Sequence, residues 1–200
     1  MIAKDPSAGD AILKELIIHI ANASEKDEKF GAVKLNKILF YADFLSYLKR
    51  GHSITGQTYF ALKDGPAPKR LLPAREEMKN ADEIAIQRSS VFGMQKQREK
   101  VIALRSANYK ILNDAEGVAI TDFVIEKLRN KNGTDLTIES HNFIGWKMAF
   151  EQGSETTIPY STARIDLKAF KSLDERLEIP ELPQELVEHG KELYRKLFDA

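Results

Sequence analysis

Val33-Lys34-Leu35-Asn36-Lys37-Ile38-Leu39-Phe40-Tyr41-Ala42-Asp43-Phe44-Leu45-Ser46-Tyr47-Leu48-Lys49 is the stretch on which the fold turns. Leu35, Ile38, Leu39, Ala42, Leu45 and Leu48 recur at the three- and four-residue spacing of one helical face, and Gly51 stands where a helix over 33–49 would end. Tyr41, Phe44 and Tyr47 widen that face beyond the single stripe of a surface helix, which predicts a central helix packed on more than one side. Lys34, Asn36, Lys37 and Asp43 are polar interruptions in this apolar surface, and the two lysines have stems long enough to snorkel.

On the N-terminal side, Ile12, Leu13, Leu16, Ile17 and Ile20 predict a first helix with Asp10 as its N-cap, ended by a polar loop over 24–29. On the C-terminal side, residues 54–62 are β-prone and close on Asp64-Gly65-Pro66-Ala67-Pro68, where Gly65 permits positive φ and the two prolines stiffen a turn ahead of a helix over 69–80. Ile84-Ala85-Ile86-Gln87 and Val101-Ile102-Ala103-Leu104 predict a β-hairpin with a long loop. Asn113, with Glu116 in the capping-box position, opens a helix over 114–130 that Asn132-Gly133 would stop. Short helices are expected from Thr134 or Asp135 to His141 and over 143–151, and a last one over 184–198.

The 200 residues, 42% hydrophobic and 30% charged, suffice for one sizeable core with a small appendage. The division expected is a domain over 11–163 and an acidic extension over 164–200 packed on it, since nine acidic residues stand against six basic ones between 166 and 200. Thirty Lys and Arg balance thirty Asp and Glu, so no net field gathers nucleic acid or an anionic membrane. With no cysteine, disulfide scaffolds, thiol nucleophiles, zinc fingers and iron–sulfur ligation are excluded. The first apolar stretch, 12–20, is interrupted by Lys14, Glu15 and His19, and no segment approaches the roughly 20 apolar residues of a membrane span. A cytoplasmic protein is expected.

Histidines 19, 52, 141 and 189 lie in four segments without an HExxH pairing, so no metal site is expected, and no phosphate-cradling glycine loop or GxSxG elbow occurs. No cofactor is expected either. Between 88 and 110, Arg88, Lys96, Arg98, Lys100, Arg105 and Lys110 face only Glu99 in sequence, which makes the hairpin an electrostatic surface. Its two aromatics, Phe92 and Tyr109, are too few for a base-stacking platform, so an exposed, charge-blunted edge is the favoured reading over a nucleic-acid site.

The succession Lys34-Leu35-Asn36-Lys37-Ile38-Leu39-Phe40-Tyr41-Ala42-Asp43, Gly51-His52-Ser53-Ile54, Tyr59-Phe60-Ala61, Gly65-Pro66-Ala67-Pro68, Ser140-His141, Trp146 and Ile158-Pro159-Tyr160 resembles the Panacea domain of SocA-like antitoxins. The resemblance implies a mostly helical α+β protein with a small β-hairpin, from bacterial or prophage toxin–antitoxin pairs, whose partner is a protein toxin encoded adjacently. One member of that family is an adaptor delivering its toxin to the ClpXP protease. The implied activity is binding without a chemical step. Lys34, Asn36, Lys37, Tyr41, Asp43, Gly65, Pro66, His141 and Trp146 are the motif residues it singles out.

Two rival classes remain: an enzyme using Tyr41, Asp43 and His141, and a nucleic-acid-binding regulator using the basic hairpin. Tyr41 and Asp43 are two residues apart, roughly 200° around a helix, and must serve different neighbours. The expected arrangement buries Tyr41 and Trp146, joins His141 to the backbone of a nearby loop, and leaves Asp43 exposed to a partner or to Lys37 or Lys49.

Overall fold

In the computed structural model, residues 6–89, 98–165 and 170 are described. Helix α1 (Pro6–Ala23) and helix α2 (Ala32–Arg50) precede a strand pair, β1 (Tyr59–Leu62) and β2 (Gly65–Pro68). Helix α3 (Leu71–Asn80), strands β3 (Ile84–Ser89) and β4 (Arg98–Ala103), and helices α4 (Tyr109–Leu112) and α5 (Ala115–Leu128) follow. Helices α6 (Gly133–His141) and α7 (Ile144–Gln152), strand β5 (Thr157–Ile158) and a 3-10 turn (Tyr160–Arg164) complete the described elements. The architecture is the mostly helical α+β fold expected.

Helix α2 is the axis. Its buried residues include Leu35, Ile38, Phe40, Tyr41, Phe44 and Leu48 and run around its whole circumference, because α1, α5, α6, β2 and the 3-10 turn all pack on it. Gly51 ends it in the left-handed conformation, with its N–H on the Tyr47 carbonyl. Phe40, Phe44, Phe143 and Phe170 interlock with ring centres 4.8–6.4 Å apart, which places Phe170 in the aromatic core beside α2.

Strand β1 lies between β2 and β5, antiparallel to both, with Tyr59 opposite Pro68 and Leu62 opposite Gly65. The stiff turn expected at 64–68 is therefore a strand, and the reversal is made by Lys63 and Asp64 alone. Pro66 and Pro68 fit because β2 is an edge, where a missing N–H breaks no ladder. The hairpin over 84–104 forms as β3 and β4, Ile84 opposite Ala103 and Ser89 opposite Arg98.

Three boundaries differ from expectation. Helix α1 begins at Pro6, whose missing N–H is harmless in a first turn, so Asp10 lies inside the helix and its carboxylate takes Arg70 Nε at 2.7 Å. Asn113 sits at φ 38° and closes α4, while Asp114 caps α5 by accepting from the Gly117 N–H at 2.9 Å. Asn132 starts α6 rather than stopping α5, because its side chain accepts from the Asp135 N–H at 2.9 Å. The helix expected over 184–198 lies outside the described residues.

Candidate functional site

The polar motif residues divide into two constellations built on α2. One is centred on Asp43, which is 0% exposed. Its Oδ1 accepts the N–H groups of Ile54 and Thr55, both at 2.9 Å, and its Oδ2 accepts the hydroxyls of Thr55 at 2.5 Å and Tyr59 at 2.9 Å. Burial pushes the Asp43 carboxyl up, against the pull of these donors, and pushes the Tyr59 and Tyr160 phenols well above their usual value. The expectation of an exposed Asp43 is overturned. The bend after α2 turns two backbone N–H groups inward, and buried donors require an acceptor. Tyr41 does serve a different neighbour, its ring centre lying 6.0 Å from that of Phe170.

The other constellation surrounds the β1–β2 turn. Trp146 Nε1 donates to the Leu62 carbonyl at 2.9 Å, His141 hydrogen-bonds the Lys63 backbone, Lys37 Nζ donates to the Asp64 carbonyl at 2.5 Å, and Asn36 Nδ2 donates to the Pro66 carbonyl at 3.0 Å. Side chains from α2, α6 and α7 thus grip the backbone of one five-residue segment, and His141 stacks on Trp146 at 4.1 Å between ring centres. Gly65 is required at the centre: its φ is 98°, and a Cβ there would collide with Lys37 Nζ and Ser140 Oγ. The grip leaves the side chains of Lys63 and Asp64 exposed on a fixed tip.

Lys37 is wholly buried, and desolvation brings its ammonium down to about 8, with Asp64 opposing. His141 is lowered by burial and by the neighbouring Lys37. Lys34 does not snorkel either: buried with Asp27, it donates to that carboxylate at 2.7 Å and to the Arg129 carbonyl at 2.8 Å. The structure therefore brings together Asn36, Lys37, Gly65, Pro66, His141 and Trp146, and keeps Lys34, Tyr41 and Asp43 apart from them. An Asp43–His141 pair in an open pocket, as the enzyme reading needs, is not formed.

The basic hairpin is tied to the protein itself. Arg98 donates to the Phe30 carbonyl at 2.6 Å, Lys100 to the Glu25 carbonyl at 2.7 Å, and Arg88 to Glu99 at 3.2 Å. Arg105 is clamped by Glu15 at 2.7 Å and Glu83 at 2.6 Å. Lys96 lies outside the described residues. Glu15 and Glu83 are partners that reading the span 88–110 by itself misses. Among the described residues, no helix is long and apolar enough to cross a membrane.

Comparison with curated proteins finds no match. Among protein families, the model described as antitoxin SocA-like, Panacea domain, matches residues 35–147, more than half of the chain. That span begins in α2, ends in α7 and holds both the β1–β2 turn and all four side chains that grip it, so the chain belongs to the family of SocA-like antitoxins with a Panacea domain.

Proposed function

We propose that this protein is an antitoxin that acts in the cytoplasm by binding a protein toxin encoded beside it, with no chemical step of its own, through the surface around the Lys63–Asp64 tip. The observation that carries the reading is the grip on that tip by Asn36, Lys37, His141 and Trp146. A binding element held rigid before contact loses little conformational freedom on association, which is where polar side chains spent on backbone carbonyls repay their burial. An exposed cation and carboxylate side by side on such an element favour a partner surface with the reverse order of charge. Asp43, saturated with donors and out of reach of solvent, supports a scaffold role for that motif residue.

Delivery of the bound toxin to a AAA+ protease of the ClpXP type is the finer form of the same reading. Co-expression with the adjacent gene product tests both. Growth rescue with co-purification is expected, and the charge-reversed pair Lys63→Glu with Asp64→Lys is expected to lose both while remaining folded. Rescue that disappears in a host lacking the protease, with co-purification retained, assigns the adaptor form. Absence of co-purification by the unaltered protein would refute the reading.

A further inference from the structure

Outside the motif constellations, α1, α4 and α5 meet at a hydrogen-bonded row of three side chains. His19 Nε2 lies 2.8 Å from Asp122 Oδ1, and His19 Nδ1 lies 3.0 Å from the Tyr109 hydroxyl. An ionised carboxylate only accepts, so Nε2 carries the ring proton; in the neutral imidazole Nδ1 is then the acceptor, and the Tyr109 O–H donates to it. The order carboxylate, imidazole, hydroxyl is that of an activated nucleophile, in which the base is oriented by a third group. His19 is 7% exposed and fixed between its partners, whereas Tyr109 is 56% exposed. Tyr109 also lines an open cleft of about 720 Å³ together with Glu15, Glu83, Arg105, Ala107 and Ile111.

We propose that Tyr109 is a nucleophilic modification site that takes an acyl group from a donor of the activated-ester class. The cleft selects the class of electrophile. Glu15 and Glu83 face it, and Arg105 is already held by both carboxylates, so of the two lining cations only Lys110 is left to offset the charge of a phosphoryl group, and a neutral ester suits the cleft better. Ala107, Ile111 and the Tyr109 ring offer an apolar wall to an acyl chain. In the step itself, Tyr109 Oη bonds to the carbonyl carbon and the ester C–O bond breaks. The phenolic proton passes to His19 Nδ1 and from there to the departing oxygen or to water. Nothing is oxidised or reduced, and the product is a tyrosyl ester. His19 is the base that touches the reacting hydroxyl; Asp122 is a positioning residue that holds the ring in the accepting tautomer.

This assignment stands on α1, α4 and α5 and does not depend on toxin binding. The test is acylation of the full chain by p-nitrophenyl acetate, followed by peptide mass mapping and compared with free N-acetyltyrosinamide. One acetyl group at Tyr109 is expected, formed about 100-fold faster than on the free amide, the lower end of what a positioned general base supplies. Tyr109→Phe abolishes that label. Asp122→Asn, at an exposed helical position where folding is undisturbed, brings the rate down about tenfold or more, and Asp122→Glu recovers a large part of it. Acetylation of Lys110 with Tyr109 left free, a Tyr109 rate equal to that of the free amide, or an Asp122→Asn rate equal to the unaltered protein would each overturn the assignment.

Discussion

Lys37 carries a full charge into a site where its ammonium rests on the carbonyl of Asp64. Its pKa falls from 10.5 to about 8 on folding. Below pH 8 the folded and unfolded chains both hold the proton, and the folded chain bears the cost of burying it. Between about 8 and 10.5 only the unfolded chain holds it, so stability rises with pH across that window, by on the order of 3 kcal/mol for Lys37 alone. Urea denaturation of the unaltered protein and of Lys37→Met at pH 7.5 and pH 10 isolates this gain as the change in their difference; a difference independent of pH would contradict it. Gly65 makes a second residue-scale prediction. Gly65→Ala forces both a φ of 98° and a collision, and should cost about 3 kcal/mol, while Gly51→Ala, with φ 78° and open space around it, should cost about 1 kcal/mol. Equal midpoints for the two variants would show that the contact with Lys37 and Ser140 plays no part.

At the scale of elements, the β1–β2 hairpin is short and carries two prolines on an edge, so its own ladder is a weak source of order. Its rigidity comes from the side chains that seize its carbonyls. Trp146→Phe keeps a ring beside His141 and removes the bond to Leu62, at a cost of about 1 kcal/mol. The expected consequence is faster hydrogen exchange at the amides of residues 60–65 with no change in α1, the signature of a local opening; acceleration spread evenly over the chain would argue against a local grip. The long elements were legible in the sequence because α2 repeats its apolar residues over 19 positions and closes on a glycine. Helix α4, with four residues, is too short to show a period, and it displaced the start of α5 by making Asn113 a C-cap. The role of Asn132 went unread because an Asn–Gly pair serves as a helix stop as readily as a helix start.

For the molecule as a whole, the even balance of charge resolves into long-range pairing. Arg105 reaches 90 residues back to Glu15 and 22 back to Glu83, so this cation of the basic span is paired with acids that lie outside the span in sequence. Arg105→Met would leave the Glu15 carboxylate with the Asn108 N–H alone of its present partners at the edge of an open cleft, and should cost about 1–3 kcal/mol; a thermal midpoint unchanged by the substitution would contradict this. Asp43 illustrates the same limit on reading sequence: its position on α2 was plain, but the inward N–H groups that bury it come from a bend 11 and 12 residues later. The convergence on the β1–β2 turn was likewise visible only as separate motifs, because its four donors are drawn from three helices that chain order keeps apart. The central claim is that this convergence exists to present the Lys63–Asp64 tip to a toxin. Hydrogen exchange of the protein alone and in complex with the product of the adjacent gene measures it most directly. Protection on binding should centre on residues 62–65; protection confined to β3 and β4, with 62–65 exchanging as in the free protein, would contradict the account.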